Sequence, residues 1–264
     1  MSLNSIPIIA SLTDTEQLLE AAGKGIFYFK FPDNLQENVQ IARDFCYDFP
    51  HNAETKMYSD GKFGGYHERL FDQIESFYVE KIDWKNILSP KLCQLASKMN
   101  SMTISILQSI LEVSGIPSDL WNQGTADIMN GFGQYHFSFN HYRPEKNTPG
   151  LKAHRDFGFV SMLFIEKSGL EACVQNEWIN VDPIENHFIV IIGKAFENLI
   201  NNPKIVSSAE HRVRQLYSER VSFGITSDGN GDSALMRYNH TSNQLEVVNP
   251  CYDAYIEECF EKLY

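Results

Sequence analysis

The chain has 264 residues, of which 43% are hydrophobic, 21% charged and 12% aromatic, a composition that excludes disorder as the main state. Lys and Arg number 22 against 34 Asp and Glu, for a formal charge of −12. That balance would repel a phosphate backbone, so nucleic acid is not an expected partner. The length suits one core with appendages or at most two domains.

In chain order, Ile6 to Ile9 reads as a short strand, Asp14 to Ala22 as a helix, and Gly25-Ile26-Phe27-Tyr28-Phe29 as a second apolar strand. Asp33 is the expected N-cap of a helix running to about Tyr47, stopped before Pro50. The clearest helix begins at Ser89-Pro90, with Ser as cap and Pro in the first turn, and ends at Gly115. Along it Leu92, Leu95, Met99, Met102, Ile106, Ile110 and Val113 recur at spacings of three and four, a stripe that predicts core packing.

From about Gly131 the period shortens. Gln134 to Tyr142, Phe157 to Ile165, Leu170 to Val174, Trp178 to Val181, Phe188 to Ile192 and Arg220 to Ile225 read as strands separated by Gly, Pro, Asn and charged breaks. Helices followed by strands predict a mainly β core braced by helices on one side, and a jelly roll fits the strand spacing.

The five cysteines, Cys46, Cys93, Cys173, Cys251 and Cys259, are scattered without CxxC or CxxH spacing. They read as buried thiols of a reducing compartment and not as a disulfide framework or a zinc site. No apolar run is long enough to span a bilayer, and Ile6 to Ala10 is too short for a signal peptide. The expectation is a cytoplasmic protein without a membrane partner, in which the Asn239-His240-Thr241 sequon is a chance triplet.

Three groups of residues carry candidate chemistry. In His154-Arg155-Asp156 the alternation of a strand would place His154 and Asp156 on one face, and His211 follows far enough along for intervening strands to bring it back. Two imidazoles and one carboxylate on one side of an ion leave open positions, the ligand set of non-haem Fe(II) oxygenases. Taken alone the pattern is weak, since a His-x-acid spacing arises by chance in a chain of this composition. Arg220 and Ser222 share a strand face and could hold a carboxylate through a guanidinium fork and a hydroxyl. Asn140 and Tyr142 share a face by the same alternation, together with His136 and Ser138.

The order of these groups adds weight to them. Asn140-x-Tyr142, His154-x-Asp156, Gly169-Leu170-Glu171, Trp178-Ile179-x-Val181-x-Pro183, Ile191-Ile192-Gly193, His211-Arg212-Val213 and Arg220-x-Ser222 occur in this sequence. Read together, they make the chain resemble the isopenicillin N synthase-like family of 2-oxoglutarate and Fe(II)-dependent oxygenases. The resemblance is close from Phe137 to Ile225 and looser towards both ends, where Gly64-Gly65-Tyr66 and Glu75-Ser76-Phe77 match. A departure is Lys194 after Gly193, where relatives often carry Asp.

The resemblance implies a single oxygenase domain over 1–264 with a double-stranded β-helix, or jelly-roll, core at 126–230. A helix and strand region at 1–125 would precede it, and a strand and helix extension at 231–264 would follow. It implies that His154, Asp156 and His211 hold Fe(II), that Arg220 and Ser222 hold the far carboxylate of 2-oxoglutarate, that Tyr142 touches this co-substrate and that Asn140 lines the site. With O2 as the other co-substrate, and ascorbate as a further candidate, the outcome would be C–H hydroxylation, desaturation or oxidative cyclisation of a small amino-acid-like or natural-product substrate. Halogenation is disfavoured, because Asp156 fills with a carboxylate the position that related halogenases leave small.

Candidate substrate contacts are Tyr66, Arg69, His136, Phe157 and Arg237, with His67, Phe77 and Ser138 beside them. A monomer or weak oligomer is expected. Two alternatives stay open: an Fe(II) oxidase independent of 2-oxoglutarate, of the isopenicillin N synthase or aminocyclopropane carboxylate oxidase type, and a non-enzymatic jelly-roll binding protein.

Overall fold

The structure, a computed structural model, describes residues 5–263. Its strands are β1 (Ile8–Ile9), β2 (Ile26–Lys30), β3 (Gly65–Glu68), β4 (Ile74–Glu80), β5 (Gln134–Tyr142), β6 (Leu151–His154) and β7 (Val160–Ile165), followed by β8 (Leu170–Val174), β9 (Glu177–Val181), β10 (His187–Ile192), β11 (Glu210–Val213), β12 (Arg220–Asp228), β13 (Leu235–Asn239) and β14 (Gln244–Asn249). The helices are α1 (Thr15–Lys24), α2 (Gln36–Asp48), α3 (Ala53–Met57), α4 (Trp84–Ile87), α5 (Pro90–Ser114), α6 (Trp121–Gly124), α7 (Lys194–Ile200) and α8 (Tyr252–Leu263).

Local chemistry fixes several of these boundaries. The Asp14 carboxylate accepts the Gln17 N–H at the start of α1, and Gly25 closes that helix in the left-handed region at φ 75°. Helix α5 starts where the Ser89 hydroxyl accepts from the Leu92 N–H and ends at Gly115, φ 80°, so its sequence signals and its bounds coincide. Asp33 does not cap α2. It opens a 3-10 turn, Asp33–Leu35, without a side-chain cap bond, and α2 continues from that turn at Gln36. Strands β8 and β9 meet at a two-residue turn in which Gln175 and Asn176 have φ of 53° and 66°, the left-handed pair that a tight hairpin demands.

Eight strands form one sheet in the order β1-β2-β10-β7-β12-β5-β4-β3, four form a second in the order β6-β11-β8-β9, and β13-β14 is a separate hairpin. Two faces of the large sheet are buried for different purposes. On one, Phe27, Phe137, Phe139, Val221, Phe223 and Ile225 join Leu18, Val39 and the α5 residues Leu95, Met99, Ile106 and Ile110 in the main core. On the other, Ile26, Tyr142, Ile165, Ile189 and Ile191 meet Leu170, Ala172, Val181 and Val213 of the small sheet. Alternation along each strand sorts side chains between helix layer and inter-sheet space. Two facing sheets with this connectivity make the double-stranded β-helix. The α5 stripe is core, although Met102 and Val113 are only half-buried while Ala96, Thr103 and Leu107 are buried.

All five cysteines are free thiols, and only Cys46 is buried; the other four are partly exposed. Among the described residues no helix is long and apolar enough to cross a membrane.

Candidate functional site

The candidate metal centre lies in the small sheet. Strand β6 ends at His154, which stands directly opposite His211 of β11, with a register shift just after His211. The two imidazole rings lie 4.2 Å apart, tilted by 53°. Asp156 is beyond the end of β6, not on the strand, so the expected alternation does not bring it round. A bend in the chain does, placing its Oδ1 3.7 Å from His154 Nε2 and 3.6 Å from His211 Nε2. One ligand atom from each of the three residues lies within 4.8 Å of the others.

Both imidazoles are oriented by backbone. His154 Nδ1 lies 2.9 Å from the Lys152 carbonyl and His211 Nδ1 3.2 Å from the Ala209 carbonyl. A carbonyl only accepts, so each Nδ1 carries the proton and each Nε2 presents a lone pair towards Asp156. Burial, reinforced by the adjacent His211, pushes His154 down from 6.5 to about 4, which keeps the imidazole neutral, the form that binds a cation. Two imidazoles and a carboxylate, convergent and preoriented, fit a divalent ion of the iron type.

The bend that carries Asp156 is held from behind by α7. The N–H groups of Gly193, Lys194 and Ala195 donate to the carbonyls of Phe159, Asp156 and Phe157 at 2.9, 2.7 and 3.0 Å. Unpaired amides at a helix start thus find partners in a loop whose carbonyls would otherwise be unpaired. The approach requires glycine at 193, where a Cβ would stand 2.0 Å from the Gly158 carbonyl oxygen. Arg155, between the two ligands, donates to the Ser208 carbonyl.

Arg220 is 1% exposed. Its Nε donates to the Lys167 carbonyl at 2.9 Å, its guanidinium lies 4.8 Å from the Tyr142 ring centre, and its Nη1 is buried with no hydrogen-bond partner. A buried charged donor left unpaired is costly unless an anion completes it, and a carboxylate is the planar acceptor that matches the fork. Across the β5–β12 ladder Arg220 faces Tyr142 and Ser222 faces Asn140. Asn140 Nδ2 lies 3.4 Å from Ser222 Oγ and its Oδ1 accepts from Ser76 at 2.7 Å. The four residues share the inner face, so the donor set fits the far carboxylate of a 2-oxo diacid.

A cavity of about 580 Å³ opens beside the metal ligands and is lined by His154, Asp156, Phe157, Arg69 and His136 among others, within the size range of small-molecule sites. Tyr66 does not line it. Its hydroxyl donates to Glu75 Oε2 at 2.5 Å and its ring packs on Phe49, towards the helices. Phe77 is likewise in the helix-side core. Arg237 lies exposed on β13 of the detached hairpin and is not part of the cavity lining, because the hairpin belongs to neither the large nor the small sheet.

Lining residues that the sequence pattern did not single out include Phe63, Tyr78, Ser161, Thr226, Asp228 and Tyr252. The strand alternation that pairs Arg220 with Ser222 extends to Thr226 and Asp228 and could have found them. Nothing local in the sequence announces that α8 returns Tyr252 to this cavity.

Comparison with known proteins agrees with this geometry. Residues 133–227 match the family model described as the 2OG-Fe(II) oxygenase superfamily. DMR6-like oxygenase 1 of Arabidopsis thaliana is 29% identical over 157 residues, 57% of this chain and 42% of that protein. Probable flavonol synthase 5 of the same plant is 25% identical over 195 residues, 71% of this chain and 57% of its own length. The chain thus spans about half the length of the curated relatives it matches.

Among solved structures, JOX2 in complex with 2OG, Fe and JA superposes with a TM-score of 0.79 at 21% identity, covering 96% of this chain and 84% of that one. The dioxygenase for auxin oxidation in rice gives 0.77 at 19%, covering 98% and 96%. These likenesses extend the shared fold over nearly the whole chain, and the match at 133–227 spans every metal and carboxylate candidate named above. Residues 133–227 thus match the 2OG-Fe(II) oxygenase superfamily, within a fold that these solved structures share over nearly the whole chain.

Proposed function

We propose that the protein is an Fe(II)- and 2-oxoglutarate-dependent oxygenase that oxidises a C–H bond of a small molecule. The observation that carries this reading is the pairing of a convergent His154, Asp156 and His211 cluster with a buried guanidinium nitrogen of Arg220 that lacks a partner. In this reading the three side chains hold Fe(II) on one side, and Arg220, with Ser222, Tyr142 and Asn140, holds the far carboxylate of 2-oxoglutarate. Held there with 2-oxoglutarate and O2, Fe(II) would supply the oxidising chemistry for a C–H bond, with succinate and CO2 as the products of the co-substrate.

The protein's own part is to bind, orient and exclude water. The backbone carbonyls of Lys152 and Ala209 fix which nitrogen each imidazole offers. Arg220, nearly without solvent contact, exerts its charge in a dry surrounding where it acts more strongly than in water. Phe157, His154 and Asp156 line the cavity in which the substrate would lie.

Succinate release by the Fe(II)-loaded protein supplied with 2-oxoglutarate tests the reading. Release should be measurable even without the physiological substrate, at a slow uncoupled rate, and should be absent in His211→Ala, which should also lose Co(II) binding followed by its visible absorption. Substrate oxidation with no need for 2-oxoglutarate would favour the oxidase alternative instead. Metal binding retained at full affinity by His211→Ala would overturn the site.

A further inference from the structure

The inner face of β12 continues past the carboxylate-binding residues to Thr226 and Asp228, and that of β5 runs back from Asn140 and Ser138 to His136. All three of these continuing residues line the cavity beside the metal ligands. The Asp228 carboxylate leans against the bend that carries Asp156: a Cβ on Gly158 would stand 2.2 Å from its Oδ1. Its side chain is 20% exposed, and its ion-pair neighbour among the described residues is His136 Nδ1, at 3.8 Å. That separation is too long for a hydrogen bond.

His136 is itself only 7% exposed. It faces the cavity, and its nearest carboxylate is beyond hydrogen-bond reach, so two neighbouring polar groups point into one space with capacity to spare. Leaving a half-buried carboxylate without donors is costly, and a ligand that donates to it recovers the cost.

The surrounding charges and surfaces say which donor. Asp253 and Glu257 of α8 line the same cavity, Asp253 accepting from the Gln134 amide at 3.1 Å, and both add negative potential on the Asp228 side. Two of the three lining cations are engaged, Arg69 with Asp72 at 3.9 Å and Arg155 with the Ser208 carbonyl, and the third, Lys62, is exposed to solvent at the rim. Phe63 forms a flat wall. Its ring centre lies 4.6 Å from that of Tyr78 and 5.5 Å from that of His136, the latter at 82°. A carboxylate beside aromatic faces is the combination that recognises a cationic nitrogen on a flat or unsaturated body.

We infer that the substrate is a small organic amine whose cationic nitrogen is held by Asp228, with His136 and the Phe63–Tyr78 wall receiving its body. The inference rests on the oxygenase reading only in taking this cavity as the substrate site. It assigns Asp228 as the residue that sets the sign of charge the site accepts.

The test uses the full chain loaded with Co(II) and 2-oxoglutarate, titrated by calorimetry with 2-phenylethylamine and tryptamine against their carboxylate counterparts 3-phenylpropionate and indole-3-propionate. The amines should bind at least tenfold more tightly than the carboxylates, and Asp228→Asn should erase that preference while leaving affinity for Co(II) and 2-oxoglutarate unchanged. Phe63→Ala should weaken amines and carboxylates alike. Equal or tighter binding of the carboxylates, a preference that survives Asp228→Asn, or no binding of either amine would each overturn the inference. Failure of the oxygenase reading shows separately, as a wild-type chain that binds neither Co(II) nor 2-oxoglutarate whatever it does with amines.

Discussion

At the scale of single residues the site is built from groups that the fold leaves incomplete. Arg220 has a backbone acceptor for Nε and an aromatic face beneath it, yet Nη1 has nothing. Lysine there would keep the charge and lose the fork. Arg220→Lys should therefore raise the KM for 2-oxoglutarate by about 100-fold, the loss of about 2–3 kcal/mol expected for a charge-assisted bidentate pair, with Co(II) affinity intact; initial rates over a range of 2-oxoglutarate concentrations measure it.

The residues of this centre are the most legible part of the sequence, because His154, Asp156, His211, Arg220 and Ser222 stand in a fixed order with identifiable chemistry. Strand alternation does not account for Asp156, since β6 stops at His154 and only the tertiary bend carries the carboxylate round. Tyr66 and Arg237 lie away from the expected cavity for a related reason. Whether a side chain in a short hairpin faces one layer or the other depends on a register that no local pattern records.

Elements matter here as clamps. The first turn of α7 grips the Asp156 bend through three backbone bonds, and the fit leaves no room for a methyl group at Gly193. Gly193→Ala would meet backbone atoms that cannot yield as a side chain could. We expect it to destabilise the fold by about 1–3 kcal/mol, read by urea unfolding, and to weaken Co(II) binding at least tenfold by displacing Asp156. Lys194, the departure from the usual Asp, contributes its N–H to the clamp, a role indifferent to the side chain.

Beside the β3 edge of the large sheet, Glu75 of β4 joins His141 at 2.8 Å and Tyr66 at 2.5 Å, with Arg143 at 3.7 Å. Burial would raise the Glu75 carboxyl, but the His141 and Tyr66 hydrogen bonds and the Arg143 charge outweigh it and hold the group below its ordinary 4.5. A lowered folded value means that the unfolded chain takes up the proton first. The stabilisation is full above pH 4.5 and is lost as the pH falls from there through the lowered value. Glu75→Gln should cost about 1–3 kcal/mol at pH 7, a gap that narrows in parallel urea titrations as the pH falls below the ordinary carboxylate value. Helix α5 is legible end to end because its cap, its stripe and its closing glycine agree, whereas α7, at seven residues, is set by the loop it holds.

For the whole molecule, a charge of −12 surrounds a buried carboxylate site that the proposed chemistry fills with a dianion. At low ionic strength the long-range field opposes 2-oxoglutarate, while buried Arg220 attracts it only at short range. Raising salt from about 10 to about 150 mM shortens the screening length from about 30 to about 8 Å. The KM for 2-oxoglutarate should therefore fall by about two- to threefold over that range, read from the initial rate of succinate release. A rise would mean that the local positive groups dominate approach.

The overall architecture, a β core with a helical brace, is legible from the change of period near Gly131. The pairing of the sheets is not, since partners such as His154 and His211 lie far apart in the chain. The two-faced burial of the large sheet carries a further consequence. Along β12 the residues that anchor the helix layer, Val221, Phe223 and Ile225, alternate with Arg220, Ser222, Thr226 and Asp228. The residues that hold the scaffold and those that face the site thus occupy opposite parities of one strand, so substitution at Thr226 or Asp228 can alter the cavity wall while Val221, Phe223 and Ile225 keep the helix layer in place.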